Sequence, residues 1–413
     1  MRGCIAVLEH DAAQIGALAL LARAAASGRA EVVGAVAERL VDAYIRRGDL
    51  PRALAAADTA KRAGRDPQPL RHLIARAFGR GSGRVGDVAP SPPPLPPKET
   101  TISKELAAAR GEALLARAEE AIRAFLARED DAPRDAKVPR LPLFGSLPPA
   151  VLEQLLEAWE VRDLAAGHKV VEEGAEGRDA FVVVRGTLRA ERRNGEETVV
   201  LALLGPGALF GEMALVSDAP RAASVITEEP AQLLVASRAA LEELAKRTPE
   251  IGQQLGEFCR ARMISNLVRH SAVLRAVAPA DREPLMARFE SCSFKAQERL
   301  VTLGSEAQGL FLIASGGVRV VGRDADGDEL EVAVLGPGDV VGEISLVLRR
   351  PATADVIATH PTIALSLRRE QFQEAIKQHP TLLGELYDLA TKREEEMRTV
   401  VAQEALDVEE VLL

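Results

Sequence analysis

The sequence is poor in cysteine, histidine and aromatics, and each scarcity removes a class of chemistry. Three cysteines, Cys4, Cys259 and Cys292, cannot all pair and show no ligand spacing, so a reducing compartment suits the chain better than a disulfide framework. The six histidines are scattered singly, and no metal site or cofactor is expected. No run reaches the ~18 uncharged apolar residues that cross a bilayer. Glu9, His10 and Asp11 interrupt the apolar start that a signal peptide would need, and a cytoplasmic protein with no membrane partner is expected. Positive charge is also short: 52 Lys and Arg against 61 Asp and Glu leave a net charge of −9 with no basic block. That is the wrong sign for a dedicated nucleic-acid binder, and no nucleic-acid partner is expected. No GxSxG, HExxH, phosphate-binding loop or paired CxxC occurs, so no catalytic residues are assigned and the chain is not read as an enzyme.

What is present is a duplication. Phe210-Gly211-Glu212-Met213-Ala214-Leu215 with Pro220-Arg221-Ala222-Ala223 recurs as Val341-Gly342-Glu343-Ile344-Ser345-Leu346 with Pro351-Ala352-Thr353-Ala354. Each copy follows a turn of one form, Leu204-Gly205-Pro206-Gly207 and Leu335-Gly336-Pro337-Gly338, and the two glutamates stand 131 positions apart. A period of that length marks a duplicated domain, because solenoid units repeat every ~20 to 50 residues. Upstream the offset is 130, pairing Ala180–Arg189 with Leu310–Arg319. The extra residue falls in a polar stretch that reads as a hairpin turn, where an insertion costs little. Leu155, Leu156 and Trp159 match Leu285, Met286 and Phe289, so each copy begins with an amphipathic helix. Each unit reads as helix, about eight short strands with Gly-rich turns, and helix: a small β-barrel or jelly roll.

The chain of 413 residues, 47% apolar, accommodates two such units and an N-terminal region. Residues 1-78 are helical, and Leu40, Tyr44, Gly48, Ala53, Ala57 and Ala60 resemble a tetratricopeptide repeat, with a generic helical hairpin as the alternative. Residues 79-99 are a Gly/Pro-rich linker. A connecting helix lies in 100-140, capped by Ser103, running to about Arg128 and packing on the first barrel. The two units occupy 141-270 and 271-395, and 396-413 is a helical, acidic tail.

The first copy closely resembles the phosphate-binding cassette of cyclic nucleotide-binding domains, the modules of protein kinase A regulatory subunits, catabolite activator proteins and gated channels. The resemblance covers roughly residues 141 to 395. It implies a mixed α and β fold: two tandem β-barrel (jelly-roll) cyclic nucleotide-binding domains with flanking helices, preceded by an all-α N-terminal region. The chemistry agrees. A cyclic phosphate is a monoanion that needs directed N–H donors and a cation, and the turn opened by Gly211 offers the donors. Arg221 adds a charge-assisted clamp, and Glu212 can accept from a ribose 2′-hydroxyl. The resemblance also places the backbone amides of Met213 or Ala214, Ala222 and Ala223 in the cradle. Ala222 stands where a hydroxyl residue favours cGMP, which points to cAMP as ligand over cGMP. The resemblance implies a lid from the helix Ile251 to Leu267, with Phe258, Arg262 and Asn266 as candidates, or from a neighbouring domain.

The second cassette keeps Gly342 and Glu343 but has Ala352 and Thr353 where the first has Arg221 and Ala222, and Asp355 adds negative charge. It is a degenerate site, expected to bind cyclic nucleotide very weakly or not at all, with Arg349 and Arg350 as solvated loop charges. Transcription factors of this family carry a helix-turn-helix after the barrel, and Lys377–Leu413 reads as one helix with an acidic tail. The expectation is a non-catalytic receptor for cyclic nucleotide whose first domain signals to a protein partner through the N-terminal helices. A nucleotide-independent scaffold is the alternative. A kinase-regulatory subunit would need an Arg-Arg-x-Ser/Ala segment, which residues 80–140 lack.

Overall fold

Among the described residues of the first 78, alanine and leucine at helical spacing build five helices: α1 (Arg2–His10), α2 (Ile15–Ala25), α3 (Ala30–Arg46), α4 (Leu50–Arg62) and α5 (Gln68–Phe78). The computed structural model describes residues 1–10, 15–25, 30–86, 101–127, 138–139, 144–194, 197–306, 308–324 and 327–411. Gly48, left-handed at φ +72°, turns the chain out of α3, and Asp49 caps α4 by accepting from the Arg52 N–H at 3.1 Å. Consecutive helices pack on one another through buried Leu40, Ala53, Ala57 and Ala60. Small side chains let the backbones approach closely.

The linker expected at 79-99 falls, from residue 87 onward, outside the described residues. Before it, β1 (Val85–Gly86) pairs in parallel with β2 (Val138–Pro139). Ser103 caps a helix as expected, accepting from the Leu106 N–H at 3.2 Å. That helix is broken in two, α6 (Lys104–Ala108) and α7 (Gly111–Leu126). Ala109 and Arg110 are extended, Gly111 has φ +48°, and the freed Ala109 carbonyl accepts from Arg2 Nη2 at 2.8 Å. The break re-aims α7, which packs on α1, α2 and α3 rather than on the first barrel. Its fully buried Ala118 and Ile122 join the N-terminal core.

The first barrel follows α8 (Pro149–Glu157) and comprises β3 (Glu160–Leu164), β4 (Lys169–Val171), β5 (Asp179–Arg185), β6 (Leu188–Asn194), β7 (Glu197–Leu204), β8 (Leu209–Phe210), β9 (Ser224–Thr227) and β10 (Ala231–Ser237). These form two antiparallel four-stranded sheets, ordered β3-β10-β5-β8 and β4-β9-β6-β7. Two packed sheets of this order make a jelly-roll sandwich. After α9 (Arg238–Arg247), α10 (Pro249–His270), α11 (Ala272–Arg275) and α12 (Pro279–Met286), the pattern repeats with β11 (Glu290–Phe294), β12 (Arg299–Val301), β13 (Gly309–Ser315), β14 (Val318–Arg323), β15 (Glu329–Leu335), β16 (Val340–Val341), β17 (Asp355–Ala358) and β18 (Thr362–Arg368). Its sheet orders are β11-β18-β13-β16 and β12-β17-β14-β15. Even the bulges correspond, between Ala190 and Glu191 in one copy and Val320 and Val321 in the other. Within the second copy lies the short α13 (Glu343–Val347), and after it come α14 (Arg369–Gln378) and α15 (Pro380–Val411). The strand pairs β6–β7 and β14–β15 bear out the expected hairpins, whose turn residues 195–196 and 325–326 lie outside the described residues.

Two junctions position the first domain. The N-terminal helices dock on it through α5 against α8 and α4 against β3 and β5. Arg23 bridges Asp58 at 2.9 Å and Asp163 at 2.6 Å, and Gln232 donates to the other oxygen of Asp163 at 2.8 Å. At the other end, α10 belongs to both cores: Ile251 and Leu255 to the first, Met263 and Leu267 to the second.

Candidate ligand-binding site

The first cassette begins where β8 ends. Gly211 takes φ +74°, a left-handed turn that lets Glu212–Leu215 coil into a 3-10 turn against β5. A Cβ on Gly211 would stand 2.9 Å from Arg221 Nη1, 2.9 Å from the Asp179 carbonyl and 3.2 Å from the Phe181 ring. Only glycine fits that backbone and that space. Phe181 and Phe210 stack beneath the turn, centroids 4.9 Å apart.

Arg221 is fixed at both its backbone and its tip. Its N–H donates to the Ala175 carbonyl at 2.9 Å, and its carbonyl accepts from the Gly174 N–H at 2.8 Å. The guanidinium donates through Nη1 to the Gly211 carbonyl at 3.0 Å and through Nη2 to the Asp179 carbonyl at 2.8 Å. It lies in a slot whose far wall is Gly177, where a Cβ would stand 2.1 Å from Nε. Burial pulls the guanidinium below its ordinary pKa, and the charges of Asp179 and Glu212 act in the opposite direction. It remains a cation.

Glu212 is 5% exposed. The trailing helix α10 reaches it from two positions: the Cys259 thiol donates to its carbonyl at 3.6 Å, and Arg262 Nε stands 3.6 Å from Oε1. Arg262 also donates through Nη2 to the Leu209 carbonyl at 3.2 Å, and its Nε is buried without a hydrogen bond.

Gly211, Glu212 and Arg221 stand together, and the Ala214 N–H donates to the Gly211 carbonyl at 3.2 Å within the turn. Met213 turns the other way and packs against the core of the second domain. Ala222 is exposed and Ala223 half-buried where the loop enters β9. Of the lid candidates, Arg262 reaches the cassette, whereas Phe258 packs on the first core. The sequence gives no sign of Gly177 or Asp179, and Cys259 figures in it only as an unpaired thiol; the Gly211 and Asp179 carbonyls that hold Arg221 are backbone atoms, which carry no residue signature.

The second cassette reproduces this backbone. Gly342 has φ +86°, and a Cβ there would stand 2.6 Å from the Gly309 carbonyl. Ala352 donates to the Ser305 carbonyl at 2.9 Å and accepts from the Gly304 N–H at 2.8 Å, the same bonds Arg221 makes. Asp355, at the place of Ser224, accepts from the Leu303 N–H at 2.9 Å, just as Ser224 accepts from the Glu173 N–H at 3.0 Å. Its charge therefore pins a turn. Glu343, 2% exposed, accepts from Arg393 Nη1 at 2.7 Å, and the same atom reaches the Val340 carbonyl at 2.5 Å. Arg393 and Arg262 are 131 positions apart, as are Val340 and Leu209. The two arginines are one device in two copies. Arg350 pairs with Glu394 of α15, so it is a tether for that helix and not a free loop charge. A cavity of about 120 Å³ lies between β15, the cassette and α15.

Among the described residues no cluster of histidine, cysteine or carboxylates could hold a metal ion, and no helix is long and apolar enough to cross a membrane. Residues 161–248 and 291–379 match the family model described as cyclic nucleotide-binding domain, and the chain carries two such domains in tandem. It is 28% identical over 224 residues to the cAMP-dependent protein kinase type II regulatory subunit of Drosophila melanogaster, covering 54% of this chain and 56% of that one. It is 26% identical to the cAMP-dependent protein kinase regulatory subunit of Yarrowia lipolytica, covering 52% and 54%. The chain therefore spans about half the length of the curated relatives it matches. Among solved structures, the regulatory domain of Toxoplasma gondii PKA with cAMP shares 24% identity, with 62% of this chain and 92% of that one covered and a TM-score of 0.29.

Proposed function

We propose that this chain is a non-catalytic cytoplasmic receptor that binds cyclic nucleotide, cAMP in preference to cGMP, in its first domain and passes the bound state to a protein partner. The observation that carries the reading is Arg221, a cation held in a glycine-walled slot beside the Gly211–Glu212 turn. A guanidinium has five N–H donors. The Gly211 and Asp179 carbonyls take two, and the remainder can face a phosphate.

Glu212 would take the ribose 2′-hydroxyl. Because Arg262 and Cys259 of α10 already contact Glu212, a new hydrogen bond there alters how firmly α10 is held, and α10 runs on into the second core. Ligand then acts by population shift, only as far as it binds one placement of α10 better. The relatives' names make a kinase the first partner class to test. With no Arg-Arg-x-Ser/Ala segment in residues 80–140, such a partner would engage the N-terminal helices. A nucleotide-independent scaffold is the second reading, favoured by the two backbone carbonyls that already take two of the Arg221 donors.

Calorimetric titration of cAMP and then cGMP into the full chain and into Arg221→Ala separates the two. Binding near one equivalent that the substitution abolishes supports the receptor. No heat at millimolar ligand, with no thermal shift, leaves the scaffold.

A further inference from the structure

A cavity of about 40 Å³ lies where the N-terminal helices meet the first barrel, walled by α2, α3 and α4 on one side and by β5 and β10 on the other. Three arginines line it, Arg23, Arg52 and Arg185, and no lining residue is a carboxylate. The three are unequally occupied. Arg23 donates from Nε to Asp163, from Nη1 to Asp58 and from Nη2 to the Val161 carbonyl. Arg52, whose side chain is 14% exposed, donates from Nη1 to Asp49 at 2.6 Å, and its Nε and Nη2 bond nothing among the described residues. The Arg185 guanidinium has neither a hydrogen bond nor an ion pair among those residues.

The charges of the junction do not cancel. Its ion pairs join Arg23 and Arg62 to Asp58 and Asp163, and Arg52 to Asp49, which leaves Arg185 over. Tyr44, on the wall of the cavity, feels the excess. Burial pushes its hydroxyl above the ordinary tyrosine pKa, so it stays neutral, and three of the four charges acting on it are arginines, Arg52, Arg47 and Arg185. Arg52 on α4 and Arg185 on β5 thus approach one hydroxyl from opposite sides of the junction, with Asp49 as their shared counter-charge. Like charges so placed repel, and the repulsion pushes the helices off the barrel. Unspent guanidinium N–H groups are strong donors to carboxylate and phosphate oxygens. The space holds about three waters, the extent of one tetrahedral oxyanion and far less than a nucleotide. Gly16 and Arg185 are the exposed members of the lining, so the cavity opens to solvent beside them.

We propose that this cavity is an oxyanion site that takes phosphate, free or as the phosphoryl end of a monoester, between Arg52 of α4 and Arg185 of β5, and that its occupancy clamps the N-terminal helices onto the first barrel. The anion replaces a repulsion across the junction with two charge-assisted contacts, and it binds only where both arginines are present together, in the docked arrangement. This inference is independent of the reading of the first cassette.

The test uses the full chain carrying Arg221→Ala, so that the first cassette does not compete for the anion. Inorganic phosphate and glycerol 2-phosphate are titrated calorimetrically at an ionic strength held constant with sodium chloride. Binding near one equivalent with Kd below about 1 mM is expected, and the tighter of the two ligands shows whether the site takes the free ion or a phosphoryl group. Arg185→Gln, at an exposed and unpaired position, should weaken binding at least tenfold with the fold intact by circular dichroism, and Arg52→Gln should repeat the loss from the other side of the junction. Amide exchange in α2 and α4 should slow about tenfold at a ligand concentration ten times Kd. Absence of saturable binding up to about 10 mM ligand overturns the proposal. So does binding indifferent to Arg185→Gln, and so does exchange slowed equally by chloride at the same ionic strength, which is screening alone.

Discussion

Arg393 donates to Glu343 at 2.7 Å, while Arg262, its counterpart in the first domain, stands 3.6 Å from Glu212. The same helix position serves the same carboxylate in both copies, closed in one and short of a hydrogen bond in the other. Exposure follows the same order, 17% for the Arg393 side chain and 39% for Arg262. The second domain thus holds its trailing helix α15 with a formed ion pair, and the first leaves Glu212 open to a competing donor.

The two arginines should therefore differ in stability. Arg393→Ala strands a nearly buried Glu343 and is expected to cost on the order of 3 kcal/mol. Arg262→Ala removes a longer, more exposed contact and should cost less than about 1 kcal/mol. Urea midpoints of the two variants compare them directly, and equal losses would contradict the difference in coupling.

Gly177→Ala tests the arginine slot without touching a charge. Its Cβ would stand 2.1 Å from Arg221 Nε, the end of a flexible side chain. The guanidinium should swing out and leave the fold intact. Expected are a Tm within a few degrees of wild type and cAMP affinity reduced roughly tenfold or more, about 1.4 kcal/mol.

Cys259 reports whether α10 is seated. Burial first, and then the charge of Glu212, push its thiol up to about 12. At pH 8 the thiolate fraction is on the order of 10⁻⁴. Native protein should resist iodoacetamide at Cys259 while the more exposed Cys4 and Cys292 react first. If ligand moves α10, peptide mapping will show cAMP changing the Cys259 rate, and Arg262→Ala should blunt that change.

Docking of the N-terminal helices should weaken in acid. Burial tends to raise the Asp163 pKa, but hydrogen bonds from Arg23 and Gln232, with the charges of Arg23 and Arg62, outweigh it and hold the carboxyl below its ordinary value. A depressed folded pKa stabilises above the unfolded value, about 4, and that contribution is lost as pH falls through the folded value. With Asp163 half-exposed, the effect is modest. Amide exchange in α2 and α4 should accelerate below pH 4 in wild type, and Asp163→Asn should lack that step.

Duplication, eight-stranded units and the left-handed glycine turn of each cassette were legible in the sequence because each depends on local backbone demands. A left-handed Gly211 or Gly342, a Gly-Pro-Gly turn and alternating apolar strands repeat at fixed spacing whatever surrounds them. The loss of charge at Ala352 was equally plain, since a side chain's chemistry is written in its letter.

Tertiary structure decided what depends on long-range approach. The destination of α7 turned on which apolar surface it could reach after the break at Ala109–Arg110, a matter of packing that its own stripe does not encode. Met213 faced the second core because α10 brings the two domains together. Arg393 could have been found by carrying the 131-residue offset into the trailing helix, but its bond to Glu343 exists only because α15 folds back over the second cassette. The sequence determines the units and their chemistry; the approach of helices to cassettes, a sum of many weak contacts between distant segments, determines which charge meets which.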